Sequence, residues 1–269
     1  MMKRRSLGLL LTALSFGALL PHVSSYAQTK AAAAPIRVAA ASDLKFALTE
    51  LGQRFTQATG LAVELQFGSS GNFAQQIKQG LPVDLFMSAD ESYVFSLADA
   101  GVTADRGQVY ATGRIALVLP KASALQLPTP AMTEAALRSQ LADQLSSVRK
   151  FAIANPEHAP YGRAAKEALQ NLGLWDQLSP KLVLGDNISQ TTQFVTSGAA
   201  QAGVTALSLA LAPEIAALSR HWLIPAELHA PLRQRMVRLK SAQPGAKALL
   251  DYLQSPPARE ILAKYGFTA

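Results

Sequence analysis

The 269-residue sequence contains no cysteine, which removes thiol nucleophiles, cysteine-ligated zinc, iron–sulfur clusters and disulfide frameworks together. Histidine is scarce, with four in all, and His22 stands close to the N-terminus. The other three, His158, His221 and His229, have neither an i, i+4 partner nor a carboxylate cluster beside them, so no metal centre is expected. The chain has no P-loop and no G-x-G-x-x-G, and "FGSSGN" has the wrong spacing for a G-x-S-x-G elbow. A Ser/His/Asp site assembled around His158 from distant positions stays open. No tract repeats at a solenoid period. With Gly at 17 and Pro at 15, collagen-like and largely disordered readings fail too. Charged residues make up only 16% against 49% apolar, which allows a large core.

Long apolar runs are also lacking, with one exception. Lys3, Arg4 and Arg5 precede an apolar run from Leu7 to Leu20, followed by Pro21 and small residues up to Ser25-Tyr26-Ala27. The run is shorter than the ~20 residues that cross a bilayer. Its flanks read as a secretory signal peptide cut after Ala27, which leaves Gln28–Ala269 as the mature chain. No cysteine follows it to carry a lipid, so the expected location is the bacterial periplasm, free of the membrane. Losing those three basic residues takes 25 Lys and Arg to 22, against 18 acidic residues. Such a mild excess gives no sign of a nucleic-acid partner. The densest basic stretch, Arg233, Arg235, Arg238 and Lys240, reads as a solvated strand face.

The mature chain alternates short β-like runs with helical patterns. "IRVAAAS" precedes Leu44, Ala47, Leu48, Leu51 and Phe55 at helical spacing, and the pattern closes at Gly60. Strand and helix then recur through "VDLFMS", "RIALVLP", "KFAIAN", "KLVLG" and "AGVTAL". Ser88-Ala-Asp-Glu91 reads as a capping box. This order predicts an α/β fold with mainly parallel sheets covered on both faces. Tyr110–Lys121 and Trp222–Lys240 read as continuous strand-like connections between two interleaved units, with two helices left over at the C-terminus. The expected division is residues 1–27 as signal peptide, 28–113 with 225–269 as lobe 1, and 114–224 as lobe 2. A ligand would bind in the cleft between the lobes, at the carboxyl ends of strands.

Four strand-to-helix joins carry small hydroxyl or turn residues: "AAASDLKFAL", "FGSSGNFAQQI", "NPEHAPYGRAAKEAL" and "GDNISQTTQF". Each exposes a helix N-terminus with unpaired N–H groups and the positive end of the helix dipole. Taken singly, Ser, Asp and Asn there are ordinary caps; converging, they would bind an anion without Lys or Arg.

The ordered set "VAAASDL", "GSSGN" with "QIKQGLPVDLFMSAD", "NPEHAPYGRAAKEALQNLGLW" and "KYGF" resembles the periplasmic molybdate-binding proteins, the soluble receptors of molybdate ABC importers. The resemblance runs from Ile36 to Phe267. It implies a two-lobed type II periplasmic-binding-protein fold that holds one molybdate or tungstate dianion through neutral donors and presents it to an inner-membrane permease. It also implies a monomer with no cofactor and no enzymatic activity. Carried over residue by residue, the donors are Ser42 and Ser70 through hydroxyl and N–H, and Tyr161 and Ile188 through N–H. They are donors to the molybdate oxygens, not ligands of the metal. Some members add a Tyr hydroxyl where this chain has Ala206, and others use the N–H that here belongs to Asp43. Asp43 is therefore expected to donate through its backbone, with its carboxylate turned away from the anion. A sulfate or phosphate receptor and a secreted α/β hydrolase are the alternatives.

Overall fold

The computed structural model describes residues 34–129 and 132–268, so the signal-peptide reading lies outside the described residues. In chain order the strands are β1 (Ile36–Ala41), β2 (Val63–Gly68), β3 (Leu85–Ser88), β4 (Gln108–Gly113), β5 (Ile115–Pro120), β6 (Phe151–Ala154), β7 (Leu182–Gly185), β8 (Ala202–Ala206), β9 (Ser219–Leu223) and β10 (Leu232–Arg238). The helices are α1 (Lys45–Thr59), α2 (Ser70–Lys78), α3 (Glu91–Asp99), α4 (Glu134–Ser146), α5 (Pro160–Asn171), α6 (Trp175–Leu178), α7 (Ile188–Thr196), α8 (Leu207–Ala210), α9 (Pro213–Ala216), α10 (Gly245–Leu253) and α11 (Pro256–Lys264).

The strands form two five-stranded sheets in the orders β2-β1-β3-β10-β4 and β7-β6-β8-β5-β9. β10 runs antiparallel to both its neighbours, and so does β5. Four of five strands in each sheet therefore share a direction. The reversed strand is in both cases the one entered after the chain has crossed from the other sheet. We call each sheet with its helices a lobe, the first holding β1 and the second β5.

Burial on both faces explains why the strands are apolar runs without polar alternation. In β1, Val38 and Ala40 pack with Leu48, Leu51 and Phe55 of α1 and Leu249 of α10, while Ala39 packs with Phe73, Phe86 and Val94 on the opposite face. α1 ends as its sequence predicts, with Gly60 at φ 72°, a left-handed conformation that suits glycine. In the second lobe, Leu117, Leu119 and Ile153 face one core and Val118 and Ala152 the other.

Four expectations are revised. Tyr110–Lys121 is two strands in different sheets, broken at Arg114, where the pairing partners change. Trp222–Lys240 is likewise interrupted, by a 3-10 turn at Ala226–Leu228. The cap of α3 is Asp90, whose carboxylate accepts from Ser92 N–H, while Ser88 Oγ donates to the Asp90 carbonyl. The basic face around Arg235 is only partly solvated: Arg233 and Arg235 both pair with Glu91 at 3.0 and 3.1 Å, and Arg235 also stacks on Phe95.

Candidate functional site: four helix starts around one cavity

Four joins deliver helix starts to the same place. β1 runs into a 3-10 turn at Ser42–Leu44 that continues as α1, and β2 runs into α2 at Ser70. From the second lobe, β6 leads to α5, and β7 leads to α7. Ser42, Asp43, Ser70, Tyr161 and Ile188 all line one small cavity of about 10 Å³ between the lobes, with Ser69, Ala89 and Asn187 completing much of its wall. All five residues singled out from the sequence thus meet, although those of the first lobe stand between 91 and 146 residues from those of the second. Ala206 does not line this cavity; it is fully buried in β8, opposite Ile115.

The caps explain why the N–H groups are available. α2 and α5 start after Ser69 and Ala159, and the turn at Ser42 after Ala41; none of these makes a side-chain cap bond. Pro160 at the first position of α5 fixes the helical φ without needing an N–H partner. Only α7 is capped in the ordinary way, by Asn187 Oδ1 accepting from Gln190 N–H, and that bond leaves the N–H of Ile188 unused. The N–H groups of Ser70, Tyr161 and Ile188 stand in first turns, where no helical carbonyl reaches them. Among the described residues lining the cavity, none is Lys, Arg or His.

The two serine hydroxyls are set as donors by what they accept. Ser70 Oγ accepts from Ala89 N–H at 3.0 Å, and Ser42 Oγ accepts from Ser189 N–H at 3.2 Å. With an acceptor lobe of each oxygen occupied, the hydroxyl proton is free to point elsewhere. Ser189 Oγ returns the contact by donating to the Ser42 carbonyl at 3.0 Å.

Asp43 is the acidic exception. It is fully buried, and its Oδ2 accepts from Tyr161 Oη at 2.9 Å and Gln234 Nε2 at 2.6 Å. Oδ1 is buried without a hydrogen-bond partner. Burial pushes the carboxyl up to about 6, against the pull of Gln234, Tyr161 and the N–H groups of Asp43 and Leu44. Burial, and then the Asp43 charge, raise the Tyr161 and Tyr110 phenols as well. Tyr110 Oη donates to Gln234 Oε1 at 2.6 Å, so the amide is fixed with its NH₂ toward the carboxylate. Gly113 leaves this corner open, since a Cβ there would lie 2.3 Å from Tyr161 Oη.

Sequence reasoning missed Ser69, Ala89, Ser189 and Gln234. Ser69 stands beside Ser70 in "GSSGN", where the sequence alone does not separate the roles of the two hydroxyls. Gln234 stands 191 residues from Asp43, and nothing local marks it. The alternative catalytic reading fails on geometry. His158 Nδ1 does lie 3.0 Å from Ser69 Oγ, yet that hydroxyl donates to the His158 carbonyl at 2.5 Å, and among the described residues no carboxylate hydrogen-bonds the imidazole.

Two α/β lobes that enclose a cavity rimmed by helix starts define a two-lobed binding protein. A family model described as bacterial extracellular solute-binding protein matches residues 36–268. The molybdate-binding protein ModA of Rhodobacter capsulatus is 37% identical over 240 residues, covering 88% of this chain and 89% of that protein. The solved periplasmic molybdate-binding protein of Azotobacter vinelandii superposes with a TM-score of 0.77 at 28% identity, over 87% of this chain and 99% of that one. The sulfate-binding protein SubI of Mycobacterium tuberculosis shares the fold, with a TM-score of 0.70 at 13% identity, over 87% of this chain and 86% of that one. The chain belongs to the bacterial extracellular solute-binding proteins, as one of their ModA-like members.

Proposed function

We propose that the protein is a periplasmic receptor that binds molybdate, and tungstate with it, and delivers the anion to the permease of an ABC importer. The observation that carries this reading is the convergence of four helix starts, with two serine hydroxyls oriented as donors and no cationic side chain in the wall. In the proposed cage, Ser42 and Ser70 donate through Oγ and N–H, and Tyr161, Ile188 and Asp43 through N–H. The ligand is a tetrahedral dianion held by neutral donors, and the protein performs no reaction on it. The names of its ModA relatives support the choice of molybdate.

About seven charge-assisted hydrogen bonds at ~1.5–3 kcal/mol each give roughly 10–21 kcal/mol before the cost of ordering and closure. That range is compatible with affinities from micromolar to nanomolar. The lobes are proposed to divide near Gly113/Arg114 and again near residues 224 and 225, where the chain passes between sheets, so that they close by hinge motion. The receptor acts as a monomer, after removal of residues 1–27.

Calorimetric titration with molybdate, tungstate, sulfate and phosphate tests the reading. Expected is one site per chain for molybdate and tungstate, with both other anions weaker by tenfold or more. Phosphate belongs in the set because Asp43 lines the cavity, and a carboxylate turned inward would accept the proton of a monohydrogen oxyanion. Preference for sulfate or phosphate would replace molybdate as the ligand.

A further inference from the structure

Beside the cavity, a second group of contacts joins the lobes through residues other than the proposed donors. From the second lobe it uses the short stretch His158–Arg163, and from the first lobe it uses the starts of α2 and α3. The His158 carbonyl accepts from Ser69 Oγ at 2.5 Å, from Gly71 N–H at 3.0 Å and from Tyr93 Oη at 3.4 Å. Arg163 donates from Nη1 to the same Tyr93 oxygen at 2.9 Å, lies 5.4 Å from the centre of that ring, and pairs through Nη2 with Asp90. Asp90 is held in turn as the cap of α3.

We propose that this group is a clasp that governs how long a bound oxyanion stays in the cage, with Arg163 as its locking residue. The inference rests on the receptor reading above and adds residues other than the proposed donors.

Three features favour a clasp over incidental packing. Arg163, Tyr93 and the His158 carbonyl form a relay in which each bond polarises the next. The clasp also flanks the cage in sequence, since Ser69 directly precedes Ser70 and Tyr161 lies between His158 and Arg163. Seating the clasp therefore seats one donor from each lobe. Finally, the hydroxyl of Ser69, which as the cap residue of α2 would ordinarily bond that helix's own N–H groups, is given to His158 instead. Gly71 permits the close backbone approach, because a Cβ there would lie 2.6 Å from the His158 oxygen.

These contacts exist only when the lobes meet, so an anion entering the open cleft does not encounter them. Arg163 is thus a positioning residue whose loss accelerates release and spares capture. The test loads the mature protein with radiolabelled molybdate, chases with excess unlabelled molybdate for release, and measures association separately by rapid mixing. Arg163→Ala should release the label about 5- to 20-fold faster, a range tempered by the partial exposure of the pair. Association should stay within about twofold, and Arg163→Lys should fall between. Tyr93→Phe keeps the ring, removes the relay oxygen, and should speed release about three- to tenfold. It keeps the test decisive should Arg163→Ala fail to fold. Unchanged release from folded variants, or slowed association with unchanged release, overturns the clasp alone. A native protein that binds no label overturns the receptor reading and the clasp together.

Discussion

The two lobes furnish the same cavity by different means. The first offers side chains as well as backbone, with Ser42 and Ser70 each presenting a hydroxyl whose oxygen is already engaged by an N–H. The second offers backbone, through the first turns of α5 and α7, and its side chains at those positions, Tyr161 and Ile188, are buried, the Tyr161 hydroxyl being spent on Asp43. In the proposed cage, point substitution can strip donors from the first lobe but can only displace those of the second. The asymmetry means that a sequence search for polar residues finds half of such a cage.

The strongest way to break the comparison is to remove both hydroxyls. Ser42→Ala with Ser70→Ala should weaken molybdate binding by about 3–6 kcal/mol if the losses add, and each single variant by ~1.5–3 kcal/mol, read by calorimetry. An unchanged affinity in both single variants would show that the first lobe also binds by backbone alone.

Asp43 is where the lobes meet, and it predicts a pH dependence. Its carboxyl is raised by burial from 3.8 to about 6, so the folded state holds the proton more tightly than the unfolded chain. The native state is therefore favoured below pH 3.8 on this account, loses stability as pH rises toward 6, and carries a constant penalty above that, of about 3 kcal/mol. Asp43→Asn should raise the thermal midpoint at pH 7 and flatten this part of the pH profile. A midpoint that falls at pH 7 would mean that the charged carboxylate stabilises the fold.

A smaller effect is expected from crowding the interface. Gly71→Ala places a methyl against the His158 carbonyl, and overpacking of this kind costs about 1–3 kcal/mol. The cost should appear in molybdate affinity more than in thermal stability, because the lobes can part to relieve it. The smallest effect sharpens the contrast from the other side. Ile188→Val keeps its N–H, so affinity should change less than about twofold even though stability falls by ~0.5–1.5 kcal/mol.

The helix starts were legible because their signals are local: small hydroxyl and turn residues directly after an apolar strand. The closing of α1 at Gly60 was legible for the same reason. The break at Arg114 was not, since two strand-like runs follow each other directly and only their hydrogen-bond partners, β10 for the first and β8 and β9 for the second, tell them apart. The cap of α3 was misplaced because Ser88 and Asp90 both suit an N-cap, and only the backbone angles choose between them. Neither Gln234 nor Ser189 carries a mark of its function, for each acts only where tertiary folding sets it.

The reversed strand β10 bears on how the molecule is made. The second lobe draws its strands from an unbroken stretch, Ile115 to Leu223, and has every strand once Leu223 has been synthesised. The first lobe has to wait. β10 lies between β3 and β4, pairing Arg238 with Leu85 and Arg233 with Thr112, so a gap remains in the middle of that sheet until nearly the whole chain is present. Long-range pairings of this kind form slowly. The lobe that begins first is thus the last to be completed, and half the cage has no finished scaffold until the C-terminal segment arrives.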